Sequence, residues 1–236
     1  MSSDPHWRRP VALYLAGQTV SIFGSAVVGY AIIWYVAIDT ASAWSFGLLS
    51  VAMVLPQGLV GLPAGVWADR YSRKWLVIGA DAAIAVVTLG LAAAVYLGHR
   101  ELWLLGAALL ARSIGGGVQM PAEAAILPQL TPPQHLLRVN AVNSGIQAAS
   151  FLVTPALAAV LLMAWDLAWI LLVDVATAAV AIIILSRIKV PRPPGADQAR
   201  RHMVREIIAG AGVIRAKAVL SRTFWLGLAC YVLIMP

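Results

Sequence analysis

Charge is what this sequence has least of. Lys, Arg, Asp and Glu make up 11% of its 236 residues, against about 25% in an ordinary soluble domain. The shortfall excludes a soluble globular protein and goes with 61% hydrophobic residues and a mean hydropathy of +0.84. Cysteine is nearly absent: Cys230 stands alone, which excludes an internal disulfide framework. The four histidines, His6, His99, His135 and His202, fall in loops and tails without zinc-ligand spacing, so no metal site is expected. There is no G-x-x-x-x-G-K-[ST] phosphate loop, which argues against ATP hydrolysis. No nucleophile–base pair suggests itself, and neither catalysis nor a cofactor is expected. Nor is a cleavable signal peptide expected. The first apolar run, behind Arg8 and Arg9, extends for more than 25 residues, whereas secretory apolar regions run to about 7–15.

What the sequence does contain is a series of long apolar stretches with a helical period, which favours an all-α integral membrane bundle over a β-barrel. A span needs about 20 apolar residues. Six complete candidates cover 11–38, 45–67, 75–96, 102–120, 139–163 and 167–188, and a seventh is expected to begin near Thr223 and to be cut short at Pro236. The connection at 164–166 is short enough to make the fifth and sixth helices antiparallel neighbours. The expected organisation is therefore a six-helix bundle over 1–190, a basic linker over 191–222 and the start of a seventh helix over 223–236. PRPPG at 191–195 restricts the backbone. The stretch 199–222 reads as a basic amphipathic helix, either docked on the membrane surface or a solvated connector.

The net charge of +7 would suggest a nucleic-acid partner in a soluble protein; here the loops explain it, and no nucleic acid is expected. With the N-terminus inside, 15 of the 17 Lys and Arg residues fall on one face, Arg100 alone falls on the other, and Arg112 lies within a span. Short basic loops stay in the cytoplasm, so the N-terminus is expected there. The sharpest cluster is GVWADRYSRK at 65–74, which reads as a tight cytoplasmic turn between helices two and three.

Ionisable groups within spans cost several kcal/mol and suggest function. Arg112 lies ten residues into the fourth candidate, about 15 Å along at ~1.5 Å per residue, near the bilayer midplane. It must face a partner or a water-filled cavity; the alternative is a structural arginine bonded to backbone carbonyls. Asp81 and Asp174, each about two turns in from a helix end, are candidates for proton coupling or are hydrogen-bonded structural carboxylates. Glu123, just beyond Pro121, sits at a helix C-terminus, where an acid is disfavoured. A basic partner from Arg70, Arg73 or Lys74 would compensate it. Small residues form another pattern: Gly115, Gly116 and Gly117 in helix four, and Ser150, Thr154, Ala158 and Ala159 around Pro155 in helix five. They permit close helix packing, and the proline adds a bend. Gln18, Ser21 and Trp34 in helix one are candidates for cavity lining or for helix packing.

These motifs together resemble the major facilitator superfamily. Gly65–Lys74, with Asp69, Arg70, Arg73 and Lys74 intact, is similar to the family's loop signature G-x-L-A-D-R-x-G-R-K, with Trp67 for Leu and Ser72 for the second Gly. Arg112-Ser-Ile-Gly-Gly-Gly resembles the R-x-x-G-G motif of helix four. Pro121-Ala122, Ile126-Leu127-Pro128-Gln129-Leu130, Val139-Asn140-Ala141-Val142-Asn143-Ser144 and Leu172-Val173-Asp174-Val175-Ala176-Thr177 resemble the drug:proton antiporter branch that holds macrolide-efflux-like and siderophore-exporter-like proteins. Two departures stand out. The helix-five pattern G-x-x-x-G-P-x-x-G-G keeps only Pro155, its glycines replaced by Ser150, Thr154, Ala158 and Ala159. Gly24 is followed by Ser25 where many relatives carry an acid.

The resemblance implies a fold of twelve helices in two halves around a midplane site, of which this chain carries the N-terminal six-helix bundle and the start of helix seven. It implies no enzyme but a secondary transporter that exports amphipathic small molecules by rocking of the halves, coupled to protons, in the cytoplasmic membrane of a bacterium. The lipid bilayer and a missing C-terminal half are the implied partners. Gly65 would permit close contact with that half. Asp69 would hold the cytoplasmic gate shut, and Arg73 would pair with Glu123. A siderophore or lipid exporter of the same fold, and a truncated fragment that transports nothing, are the alternatives.

Overall fold

The computed structural model describes residues 7–191, together with Arg222, Leu226 and Gly227. The expected linker at 191–222 and the seventh helix from 223 lie almost wholly outside the described residues. Six helices follow one another: α1 (Arg8–Thr40), α2 (Ala43–Arg70), α3 (Arg73–Tyr96), α4 (Leu102–Leu130), α5 (Leu136–Ala164) and α6 (Leu167–Arg187), with a short 3-10 turn at Pro133–His135 before α5. Each of the six is long and apolar enough to cross a membrane. Side-chain caps mark two starts. Ser42 accepts from the Ser45 N–H ahead of α2, and Asp166 accepts from the Ala168 N–H ahead of α6. These caps satisfy backbone donors that a helix start leaves open. Ala41, at φ 48°, ends α1 in the left-handed conformation.

Three expectations need correction. α4 does not stop at residue 120 but runs ten residues further, through Pro121 and Pro128. A proline removes one rung of the helix ladder, but neighbouring helices can hold a membrane helix together across the gap. Likewise 65–70 is helical, so the turn between α2 and α3 is only Tyr71 and Ser72. Helices α5 and α6 are joined by two residues yet barely touch. Instead α6 packs on α1 and α3, and α5 packs on the other side of α1. A short link fixes only where two helix ends meet, not which faces pack.

Helices α1, α3, α4 and α6 form a four-helix centre, with α2 laid along α4 and α5 along α1. Close approach through small residues drives association in lipid, and the glycines show it. A Cβ on Gly24 of α1 would collide with the Thr177 hydroxyl of α6, and one on Gly117 of α4 would lie 2.8 Å from the Gln57 carbonyl oxygen of α2. The apolar core falls into two clusters. One, towards the ends joined by the α1–α2, α3–α4 and α5–α6 links, holds Ile32, Leu49, Val95, Leu105, Leu109 and Ile170. The other, towards the opposite ends, holds Val11, Val77, Ile126, Leu127 and Leu185. Polar side chains occupy the layer between them.

Candidate functional site

The upper part of that layer is a node on four helices. Arg112 of α4 pairs with the Asp174 carboxylate of α6 and donates to the Thr88 hydroxyl of α3. Its other terminal nitrogen donates to the Ser25 carbonyl of α1, at 3.2 Å. The Ser25 hydroxyl donates to Asp174 at 2.8 Å, and the Thr88 hydroxyl lies 3.3 Å from the same carboxylate. The pair is sealed: the side chains of Arg112 and Asp174 are 7% and 1% exposed. Desolvated charges of this kind persist only when each is paired and supported by further hydrogen bonds; here the two are paired with each other, and each makes further hydrogen bonds.

Below the node lies a chain of hydrogen bonds centred on Gln119 of α4. Its side-chain amide donates to Asp81 of α3 at 2.9 Å and to Glu123, one turn along α4, at 2.7 Å. The Ser21 hydroxyl of α1 donates to Asp81 at 3.2 Å, and the Tyr14 hydroxyl donates to the Glu123 backbone carbonyl at 3.1 Å. Asp81 Oδ2 and Gln18 Oε1 are buried with no hydrogen-bond partner among the described residues. No cationic side chain forms an ion pair with Asp81 or Glu123 among those residues.

The expected Arg73–Glu123 pair is therefore not formed. Glu123 turns inward to Gln119, and Arg73 binds backbone. Its guanidinium donates to the Ala68 carbonyl of α2 and to the Ala125 carbonyl of α4, each at 2.9 Å, and meets Asp69 at 3.3 Å. Lys74 donates to the carbonyls of Ser186 and Ile188, at 2.6 and 2.8 Å, at the end of α6. Carbonyls at a helix C-terminus lack intrahelical partners and carry the negative end of the dipole, so the two cations clamp the ends of α2 and α6, and Arg73 also reaches the body of α4 at Ala125. Asp69 keeps a side chain 77% exposed, and nothing stands within 4 Å of a Cβ built on Gly65. Arg70 is buried at the end of α2.

The remaining expected residues are placed as follows. Ser21 and Gln18 are buried inside the bundle, whereas Trp34 is exposed and takes no part in the polar layer. Gly115 faces Ile84 of α3, Gly116 faces Gln57, and Gly117 faces the α2 backbone. Ser150, Thr154 and Ala158 form the buried stripe of α5, with Pro155 and Ala159 beside it. Sequence reasoning missed Thr88, Gln119, Ser25 and Tyr14. Thr88 had a signal, since it lies two helical turns from Asp81 on α3. Gln119 had almost none, being an uncharged side chain ahead of a proline.

On the opposite face, Arg100 pairs with Asp166 at 2.6 Å and stacks over Tyr35. The Ala168 backbone N–H, aided by Arg100, holds the Asp166 carboxyl below its ordinary value.

A six-helix bundle with an ion pair and further carboxyls in its interior defines a class: a polytopic α-helical membrane protein of the transporter type. The Major Facilitator Superfamily model matches residues 14–236, and the chain belongs to that family. It is 31% identical over 237 residues to macrolide efflux protein A of Streptococcus pyogenes, across 100% of this chain and 58% of that protein. Against macrolide efflux protein A of Enterococcus faecalis it is 30% identical over 189 residues, 80% of this chain and 58% of the relative. Enterobactin exporter EntS of Escherichia coli O127:H6 is 27% identical over 220 residues, 92% of this chain and 51% of that protein. The chain thus spans between half and three-fifths of the length of these relatives.

Proposed function

We propose that this chain forms the N-terminal half of an exporter of amphipathic small molecules that works by alternating access and is coupled to protons. One observation carries the coupling: Asp81 and Glu123 share a single amide, Gln119, in the bundle interior with no cation paired to either among the described residues. An uncompensated charge in such a medium costs several kcal/mol. A proton held on the pair removes one charge, and its release forces the surroundings to rearrange. The sealed Arg112–Asp174 pair is the fixed counterpart, a support for the site rather than its wall.

The inner gate follows from the loop. Asp69 and Gly65 present an exposed acid and an open backbone surface, which suits contact with the second half. Helices α2 and α5, on the rim of the bundle, supply the rest of that contact. Asn140, Ser144 and Gln147 give α5 an exposed polar face fit for a watery cavity between the halves. The N-terminus is cytoplasmic, supported by the gathering of Arg8, Arg9, Arg73, Lys74, Arg138 and Arg187 at one end of the bundle.

The test is substrate accumulation by the full-length protein in inverted vesicles under an imposed pH gradient, with macrolides and other amphipaths. Asp81→Asn and Glu123→Gln should each abolish gradient-driven accumulation while substrate exchange across the membrane persists. Unimpaired gradient-driven transport in both variants would refute the proton reading. Unchanged sensitivity to several compound classes on deleting the gene would refute drug export. The similarity to the enterobactin exporter favours a second reading, siderophore export. Siderophore accumulation in the same vesicles, without macrolide accumulation, would select it.

A further inference from the structure

Helix α2 contains a defect that the gate and the polar layer do not use. Pro56 has no N–H, so the rung from residue 56 to the carbonyl of residue 52 is missing. The next rung, from Gln57 to Met53, is occupied from outside. The Ser113 hydroxyl of α4 accepts from the Gln57 N–H at 2.9 Å and donates to the Met53 carbonyl at 2.7 Å. These are the two groups that a regular α-helix joins to each other. Ser113 is buried, at 5% exposure, and adjoins Arg112. One turn further along α4, Gly117 lets the backbone of Gln57 approach so closely that a Cβ there would lie 2.8 Å from its oxygen. Two successive rungs of α2 are thus absent or bridged by a hydroxyl, and the turn rests on a fixed pair of points on α4. Proline and an inserted side chain are both recognised causes of a sharp helix bend.

We infer that α2 is jointed at residues 53–57 and that Ser113 is the pin of the joint. The outer segment, 43–52, stays with the bundle. The inner segment, 57–70, which carries Gly65 and Asp69, turns about the pin. The hydroxyl holds both ends of this rung, so the backbone groups remain satisfied as the angle changes; in lipid a bare N–H and carbonyl would not be tolerated. The gate motion served by this joint rests on the exporter reading above, but the joint itself does not, and it is tested without transport.

Hydrogen exchange of residues 53–60 in the full-length protein in lipid nanodiscs reads the pin directly. Ser113→Ala should speed exchange there by about tenfold, the equivalent of one lost hydrogen bond, while Ser113→Thr, which keeps the hydroxyl, should not. In a Pro56→Ala background the ladder can close by itself, and Ser113→Ala should then change exchange by no more than about twofold. Spin labels at Leu48 and Leu62, both exposed, read the angle. Pro56→Ala should narrow their distance distribution towards roughly 21 Å, the span of a straight helix at ~1.5 Å per residue, and Ser113→Ala should broaden it. Unchanged exchange in Ser113→Ala, or an equal effect with and without Pro56, would overturn the pin. A distribution that neither variant alters would overturn the joint. Absence of transport by the parent protein, with the expected exchange pattern, would count against the exporter reading alone.

Discussion

Replacing Asp174 by Asn should be the more damaging half of an asymmetric pair. Removing one partner of a buried ion pair costs about 3–5 kcal/mol, because the other charge is left behind. In Asp174→Asn the residual charge is a guanidinium that cannot shed its proton. It keeps only the Thr88 hydroxyl, the Ser25 carbonyl and an amide oxygen, so the loss should lie near the top of the range, about 5 kcal/mol. In Arg112→Met the residual group is a carboxylate that still accepts from Ser25 and Thr88. With these donors retained, the loss should be nearer 3 kcal/mol. Arg112→Met with Asp174→Leu removes both charges and should lie within about 2 kcal/mol of the parent protein. Against a total stability of about 5–15 kcal/mol, these differences are large. Equilibrium unfolding of the full-length protein in mixed dodecylmaltoside–SDS micelles would read them. Equal losses from the two single changes, adding in the double variant, would refute the pairing. So would losses below about 1 kcal/mol from each.

Further predictions concern the loops and the helix contacts. Lys74→Met removes both donors at the end of α6 and should cost about 1–3 kcal/mol, with faster hydrogen exchange confined to the last turn of α6. Gly117→Ala places a methyl 2.8 Å from the Gln57 oxygen and should lower stability by about 1–3 kcal/mol, whereas Gly79→Ala, with open space around it, should be close to neutral in the same unfolding assay. The Asp166 carboxyl has a lowered folded-state pKa. Its contribution should be complete above the unfolded value of about 3.9 and fade as the pH falls below that. The thermal midpoint of Asp166→Asn should accordingly lose less between pH 5 and pH 3 than that of the parent, and parallel curves would refute the role of this carboxyl.

The six spans were legible because a run of about 20 apolar residues has few other uses. Arg112 and Asp174 were each conspicuous for the same reason. Their pairing was not, since 62 residues separate them and nothing local says which faces of α4 and α6 meet. The end of α4 was misread because Pro121 carries the signature of a helix stop in water, where exposed carbonyls are free to leave the ladder. Glu123 was placed on the correct helix but at its end, whereas it lies seven residues inside α4, and it was given the wrong partner. The charge pattern offered Arg70, Arg73 or Lys74 and the family resemblance singled out Arg73, while the helical period brings Gln119 one turn away on the same face. Arg73 and Lys74 were read as charges seeking acids. Two helices end beside them and α4 passes alongside, and backbone carbonyls claim both cations. A backbone acceptor has no letter in the sequence, which is also why the Ser113 bridge was invisible.

The sealed node on four helices sets a timetable for biogenesis. Arg112 leaves the ribosome 62 residues before Asp174, and at about 5–20 residues per second it waits roughly 3–12 seconds for its counter-ion. An arginine at a helix centre raises the insertion free energy of α4 by about 2.5–3.5 kcal/mol. The Ser25 carbonyl and the Thr88 hydroxyl belong to α1 and α3, which are made earlier and can receive the guanidinium in the interval. Only when α6 arrives does the acid close the cluster, so the charge of α4 is balanced by the last helix of the bundle to be made.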